Sequence, residues 1–142
     1  MALKFRVVKR KVLSGAEKDA VKTYAMAKTS GVTDLDKICK LISSRSTVSS
    51  ADVKAVLDSL NWAMGLELSA GNVVQLGELG NFRLSLSSEG TAKEEDFDAT
   101  KIKKARIVFH PGASLRTTRN EVTFAPDDVR IVEKECDKPH VI

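Results

Sequence analysis

Aromatic side chains make up only 5% of this 142-residue chain, so its core must be assembled mainly from aliphatic groups. Proline is nearly as scarce: Pro111, Pro126 and Pro139 are the only three, and none lies between Phe82 and Phe109. The two cysteines, Cys39 and Cys136, lie far apart without CxxC or Cys/His spacing, which reads as one buried thiol and one tail thiol. With only His110 and His140 available, no catalytic constellation forms, and His110 beside Pro111-Gly112 reads as a turn surface. No apolar run approaches the roughly 20 residues that span a bilayer. Charges interrupt the N-terminal MALKFRVVKRKVL before an apolar stretch of signal-peptide type develops, so the expectation is a cytoplasmic protein with no membrane contact. An enzyme is not expected, nor is a cofactor or a metal.

What is present is ordinary for a globular domain, 42% hydrophobic and 30% charged, and the length suits a single domain. The most informative stretch is VVQLGELGNFRLSL, residues 73–86. A short apolar strand runs into Gly77-Glu78-Leu79-Gly80, a spacing suited to a tight reversal in which at least one residue has φ > 0. Phe82, Leu84 and Leu86 then alternate with Arg83, Ser85 and Ser87, the pattern of a strand with one buried face.

Two helices precede this hairpin. Thr33 with Asp36 three residues on forms a capping box, and Leu35, Ile38, Cys39 and Ile42 mark one helical face. Ser49 or Ser50 caps the second helix, with Asp52 in its first turn. Val53, Val56, Leu57, Leu60 and Met64 form its stripe, Trp62, Ala63, Leu66 and Leu68 widen it, and Gly71 ends it. So broad a stripe is expected to be covered from two sides, by the sheet on one and by a second copy of the same helix or the extra terminal strands on the other. Strands are expected at residues 3–9, 20–28, 102–109, 122–124 and 129–132, with a Ser14-Gly15 turn, an irregular 87–101 and a short basic helix over 113–119.

Charge is unevenly distributed around a net +4. Residues 1–28 hold eight basic side chains against Glu17 and Asp19. Residues 87–100 hold Glu89, Glu94, Glu95, Asp96 and Asp98 against Lys93 alone, and Lys101, Lys103, Lys104 and Arg106 follow at once. Basic stretches of this kind can meet phosphate or simply face solvent. The acidic cluster lacks the spacing and glycine of a calcium loop, and GELG lacks the Lys-Ser/Thr of a phosphate loop.

The order helix, helix, GNVVQLGELGNFRL, arm, IVFHPGASLR resembles the HU/integration host factor family of bacterial histone-like DNA-binding proteins. The match runs from Thr33 to Arg119, with Val74, Leu76, Gly80 and Phe82 fitting a V-x-L-x-G-x-G-x-F hairpin; flanking residues 1–30 and 120–142 resemble an extended HU-related branch with added strands. The resemblance implies an α+β fold: two helices, a β-hairpin with a protruding arm and a short C-terminal helix, as one domain over 1–142 with a 33–119 core. It also implies a homodimer that grips double-stranded DNA with its arms, with little sequence preference, as a nucleoid-associated protein. The phosphate contacts would come from Arg83, Lys101, Lys103, Lys104, Arg106, Arg116 and Arg119, with Lys4, Arg6, Lys9 and Arg10 as additions.

The sequence departs from the family at the arm. The tip Asn-Pro-x-x-Gly is absent, so the intercalating wedge is missing unless Phe97 substitutes for it. Ser85, Ser87 and Ser88 stand where the family has basic residues, and Glu94-Glu95-Asp96 at the tip would repel phosphate. The alternative is therefore the same fold used as a protein-interaction or scaffolding module with weak or no DNA binding.

Overall fold

A computed structural model describes residues 1–127. Contacts within the chain gather into two compact units, one from Thr33 to Glu121 and one from Met1–Val32 together with the segment from Val122 on. The strand expected at 129–132 lies outside the described residues.

The Thr33–Glu121 unit begins with helix α1, Leu35–Arg45. Its cap is Asp34, not Thr33: the Asp34 carboxylate accepts from the Lys37 backbone N–H at 2.9 Å, and the helix therefore starts one residue later than the Thr33 box implied. Helix α2, Ser50–Ser69, opens on Ser49 with a complete capping box, since the Ser49 hydroxyl accepts from the Asp52 N–H at 3.2 Å and Asp52 accepts from the Ser49 N–H at 3.3 Å. Lys54 on α2 donates to Asp36 on α1 at 2.5 Å, and the two helices pack together with Cys39 fully buried. Gly71 follows the last turn at φ +85°, a left-handed stop.

Strand β3, Val74–Gln75, is shorter than the apolar run suggested, because the chain leaves the ladder at Leu76 to form a 3₁₀ turn over Gly77–Leu79. Strand β4, Gly80–Ser85, then pairs antiparallel with β3 and with β5, Arg106–Pro111. Two expectations are corrected at β5. The strand begins at Arg106 rather than 102, and His110-Pro111 does not break it but completes the ladder opposite Asn81 and Gly80. Helix α3, Ala113–Glu121, follows directly.

The sheet closes tightly against the α3 junction. Gly80 sits at φ +134°, and a Cβ there would fall 2.2 Å from the His110 carbonyl oxygen. A Cβ on Gly112 would fall 2.2 Å from the Glu78 carbonyl oxygen. The Gly112 N–H donates to the Leu79 carbonyl at 3.0 Å, tying the 3₁₀ turn to the start of α3. Both glycines are dictated by backbone approach rather than by flexibility.

The other unit is a three-stranded sheet in the order β2-β1-β6. Strand β1, Ala2–Lys11, pairs antiparallel with β2, Val21–Ala27, and parallel with β6, Thr123–Pro126. The register of β1 with β2 is continuous from Phe5↔Ala27 to Lys11↔Val21, so side-chain parity holds along the whole hairpin.

Candidate nucleic-acid interface

Pleating divides the β3-β4-β5 sheet into two chemically distinct faces. Val74, Phe82, Leu84, Ile107 and Phe109 share one, with the Phe82 and Phe109 rings opposite each other at a centroid distance of 4.8 Å. This face, expected to be buried, is only half covered within one chain: Ile107 is 67% exposed, and Leu86 falls beyond the end of β4. Gln75, Asn81, Arg83, Ser85, Arg106, Val108 and His110 share the other.

On that polar face Arg106 stands opposite Ser85, and Arg83 stands one pair further along, opposite Val108. Arg83 Nε donates to His110 Nε2 at 3.3 Å. Both arginines are exposed. His110 was read from sequence as a turn residue; its membership of this face follows only from the β5 register. Counting alternation forward from Arg106 through His110 would have found it, had the strand not been expected to stop at Phe109.

The remaining candidates spread over neighbouring segments. Lys101 ends a 3₁₀ turn over Ala99–Lys101 and is half-buried, while Lys103 and Lys104 are exposed in the lead into β5. The Lys103 N–H donates to the Ser87 carbonyl at 2.7 Å and the Glu89 N–H to the Lys101 carbonyl at 3.0 Å. With the Ser88↔Ile102 bridge, these bonds hold the base of the arm as a narrow ladder. Beyond it the chain forms a second 3₁₀ turn over the exposed Glu94–Asp96, and Phe97 beside it is 44% exposed. Arg116 and Arg119 are exposed one turn apart on one face of α3, with Arg119 Nε donating to Asn120 Oδ1 at 3.2 Å. Arg83 and Arg106 are thus brought together on one surface, and Arg116 and Arg119 on another.

The N-terminal candidates do not form one surface. Parity on β1 puts Lys4, Arg6 and Arg10 on one face and Lys9 on the opposite face.

Among the described residues three carboxylates carry local shifts. Lys54 beside Asp36 holds that carboxyl below its usual range, Ser49 does the same for Asp52 through its hydroxyl and N–H, and Thr100 does so for Asp98. All three stabilise helix starts, the α1–α2 contact or the 3₁₀ turn, and none lies on the polar sheet face.

Two helices, a small antiparallel sheet and a third helix in one unit, and a three-stranded sheet in the other, define a mixed α+β protein. A family model described as HU-HIG, an HU domain fused to wHTH, Ig or glycine-rich motif, matches residues 1–126. The chain belongs to that family. Among solved structures it is similar to one from Bacteroides vulgatus ATCC 8482 described as a "Putative bacterial DNA binding protein", with a TM-score of 0.62 and 16% identity over 88% of this chain. The chain spans 47% of that neighbour's length. No curated protein matches it. Among the described residues, no helix is long and apolar enough to cross a membrane.

Proposed function

We propose that the protein binds double-stranded DNA as an HU-like, nucleoid-associated homodimer with little sequence preference. The observation that carries this reading is the exposed, diagonal placement of Arg83 and Arg106 on the polar face of the hairpin sheet, in a chain of the HU-HIG family. Lys103 and Lys104 extend that basic surface along the arm base, and Lys101, Arg116 and Arg119 complete the phosphate contacts. Two sheet-borne arginines and a short basic helix suit backbone neutralisation far better than base reading. The role is one of binding, with the protein supplying charge and shape and no chemistry.

The exposed apolar side chains support a second copy. Val56, Trp62 and Leu66 on α2 are 63%, 72% and 57% exposed, and Val56, Ser59, Ala63 and Leu66 recur at helical spacing. Only Cys39, Val53 and Leu68 are buried among the apolar side chains of the described residues. A chain with so small a core gains most from burying that helix face and the apolar sheet face against a partner of the same kind.

The acid-tipped arm favours weak deformation of the duplex over sharp kinking. The Glu94–Asp96 turn is exposed, and Phe97 sits beside carboxylates that would meet phosphate first. The test is a low-salt mobility shift with several duplexes of unrelated sequence, which are expected to shift at similar concentrations. Absence of any shift would leave the protein-interaction reading of the same fold.

A further inference from the structure

We propose that the basic face of the β2-β1-β6 sheet is a second nucleic-acid surface, shaped for a single strand laid along β1. Continuous register places Lys4, Arg6, Val8 and Arg10 of β1 on the same face as Lys22, Tyr24, Met26 and Lys28 of the neighbouring strand and its exit. Side-chain contacts agree with that parity. The Arg10 guanidinium donates to Met26 Sδ at 3.0 Å, and Lys4 and Lys28 both reach Asp127, Lys4 at 3.9 Å. Lys22 pairs with Glu17 in the connecting loop. Among the described residues five cations therefore line one face. Glu17 pairs with Lys22, and Asp127, whose side chain is only 6% exposed, pairs with Lys4 and Lys28, which leaves Arg6 and Arg10 without a carboxylate partner among those residues.

Tyr24 gives this face its character. It is 44% exposed, directly opposite Val8 and diagonal to both Arg6 and Arg10. An open aromatic ring set between arginines on a sheet is the arrangement that stacks an unpaired base while cations hold the flanking phosphates. Lys4 to Arg10 is six steps along the strand, about 20 Å, enough to follow several nucleotides. The other face of the same sheet is unlike it: Leu3, Phe5, Ala25, Ala27 and Phe124 line a shallow apolar depression there, with Lys9 and Lys11 toward one end.

That two-facedness supplies the experiment. Fluorescence anisotropy of the full chain with a labelled single-stranded oligonucleotide, across a salt series, compares Arg6→Gln/Arg10→Gln with Lys9→Gln/Lys11→Gln. Both double variants remove two charges from the same strand, on opposite faces. The first is expected to weaken single-strand binding about tenfold or more and to flatten the salt slope by about 1.4, while the second changes neither appreciably. Tyr24→Leu is expected to weaken single-strand binding at least about fivefold and leave the salt slope intact. Circular dichroism of each variant establishes that the sheet persists. Equal losses from the two double variants, or an unchanged affinity for Tyr24→Leu, would overturn the proposal, as would losses seen only with duplex. Failure here leaves duplex binding by Arg83 and Arg106 untouched, because those residues lie outside this sheet.

Discussion

Arg83 and His110 meet across the β4–β5 ladder, two residues from different strands whose side chains join at 3.3 Å on the polar face of the hairpin sheet. The bond orients the guanidinium, but on the proposed reading its charge is what the duplex detects. Arg83→Gln should therefore reduce the slope of log K against log salt by about 0.9, and Arg83→Lys should keep the slope near that of the parent chain. His110→Ala should leave the slope unchanged. Nitrocellulose filter binding across a salt series distinguishes the three.

Gly80→Ala should be severely destabilising. The substitution meets both an unfavourable φ of +134° and the His110 carbonyl, a backbone atom that cannot swing aside. A loss on the order of 1–3 kcal/mol or more is expected, read as a shifted urea midpoint. A midpoint within experimental scatter of the parent would show that the 3₁₀ turn and the α3 junction are not locked as described.

The α2 start should weaken in acid. Ser49 hydrogen bonds hold the Asp52 carboxyl below its usual range, so its folded value lies below its unfolded one. Its contribution is then complete above the unfolded value, near pH 4, and fades as pH falls through the lower folded value. Asp52→Asn should give a flatter acid limb in a stability-against-pH profile. Ser49→Ala should cost about 1 kcal/mol at neutral pH.

Trp62 reports on self-association directly, because it is the only tryptophan in the chain. It is 72% exposed in the single chain. If α2 faces a second copy, its emission should be blue-shifted at high protein concentration and move to the red on dilution, in step with a halving of mass by light scattering. Leu60→Asp should give unfolded or aggregated protein, and a well-folded monomer from that variant would contradict the paired-helix account.

Much of the fold was legible because its signals are local. Ser49-x-x-Asp52 announces α2, the Leu35–Ile42 spacing announces α1, and Gly77 and Gly80 announce the reversal; both glycines take positive φ. What escaped the sequence depended on tertiary pairing. Thr33 and Asp34 are both cap residues, and only the backbone decides between them. The β5 start at Arg106 is set by where β4 ends, at Ser85, its last partner. His110 looked like a turn because Pro111 and Gly112 follow it, whereas Pro111 occupies a strand end where its missing N–H costs little. The basic N-terminal residues read as one patch, and only a continuous register sorts Lys9 from Arg6 and Arg10.

The central claim is that the polar face of the hairpin sheet neutralises duplex phosphates. It is tested most directly by titrating one duplex with the full chain and with Arg83→Gln/Arg106→Gln over a range of salt. The account predicts tight low-salt binding by the parent chain and a slope shallower by about 1.8 in the double variant. No duplex binding by the parent at low salt, or identical slopes for the two proteins, would contradict it.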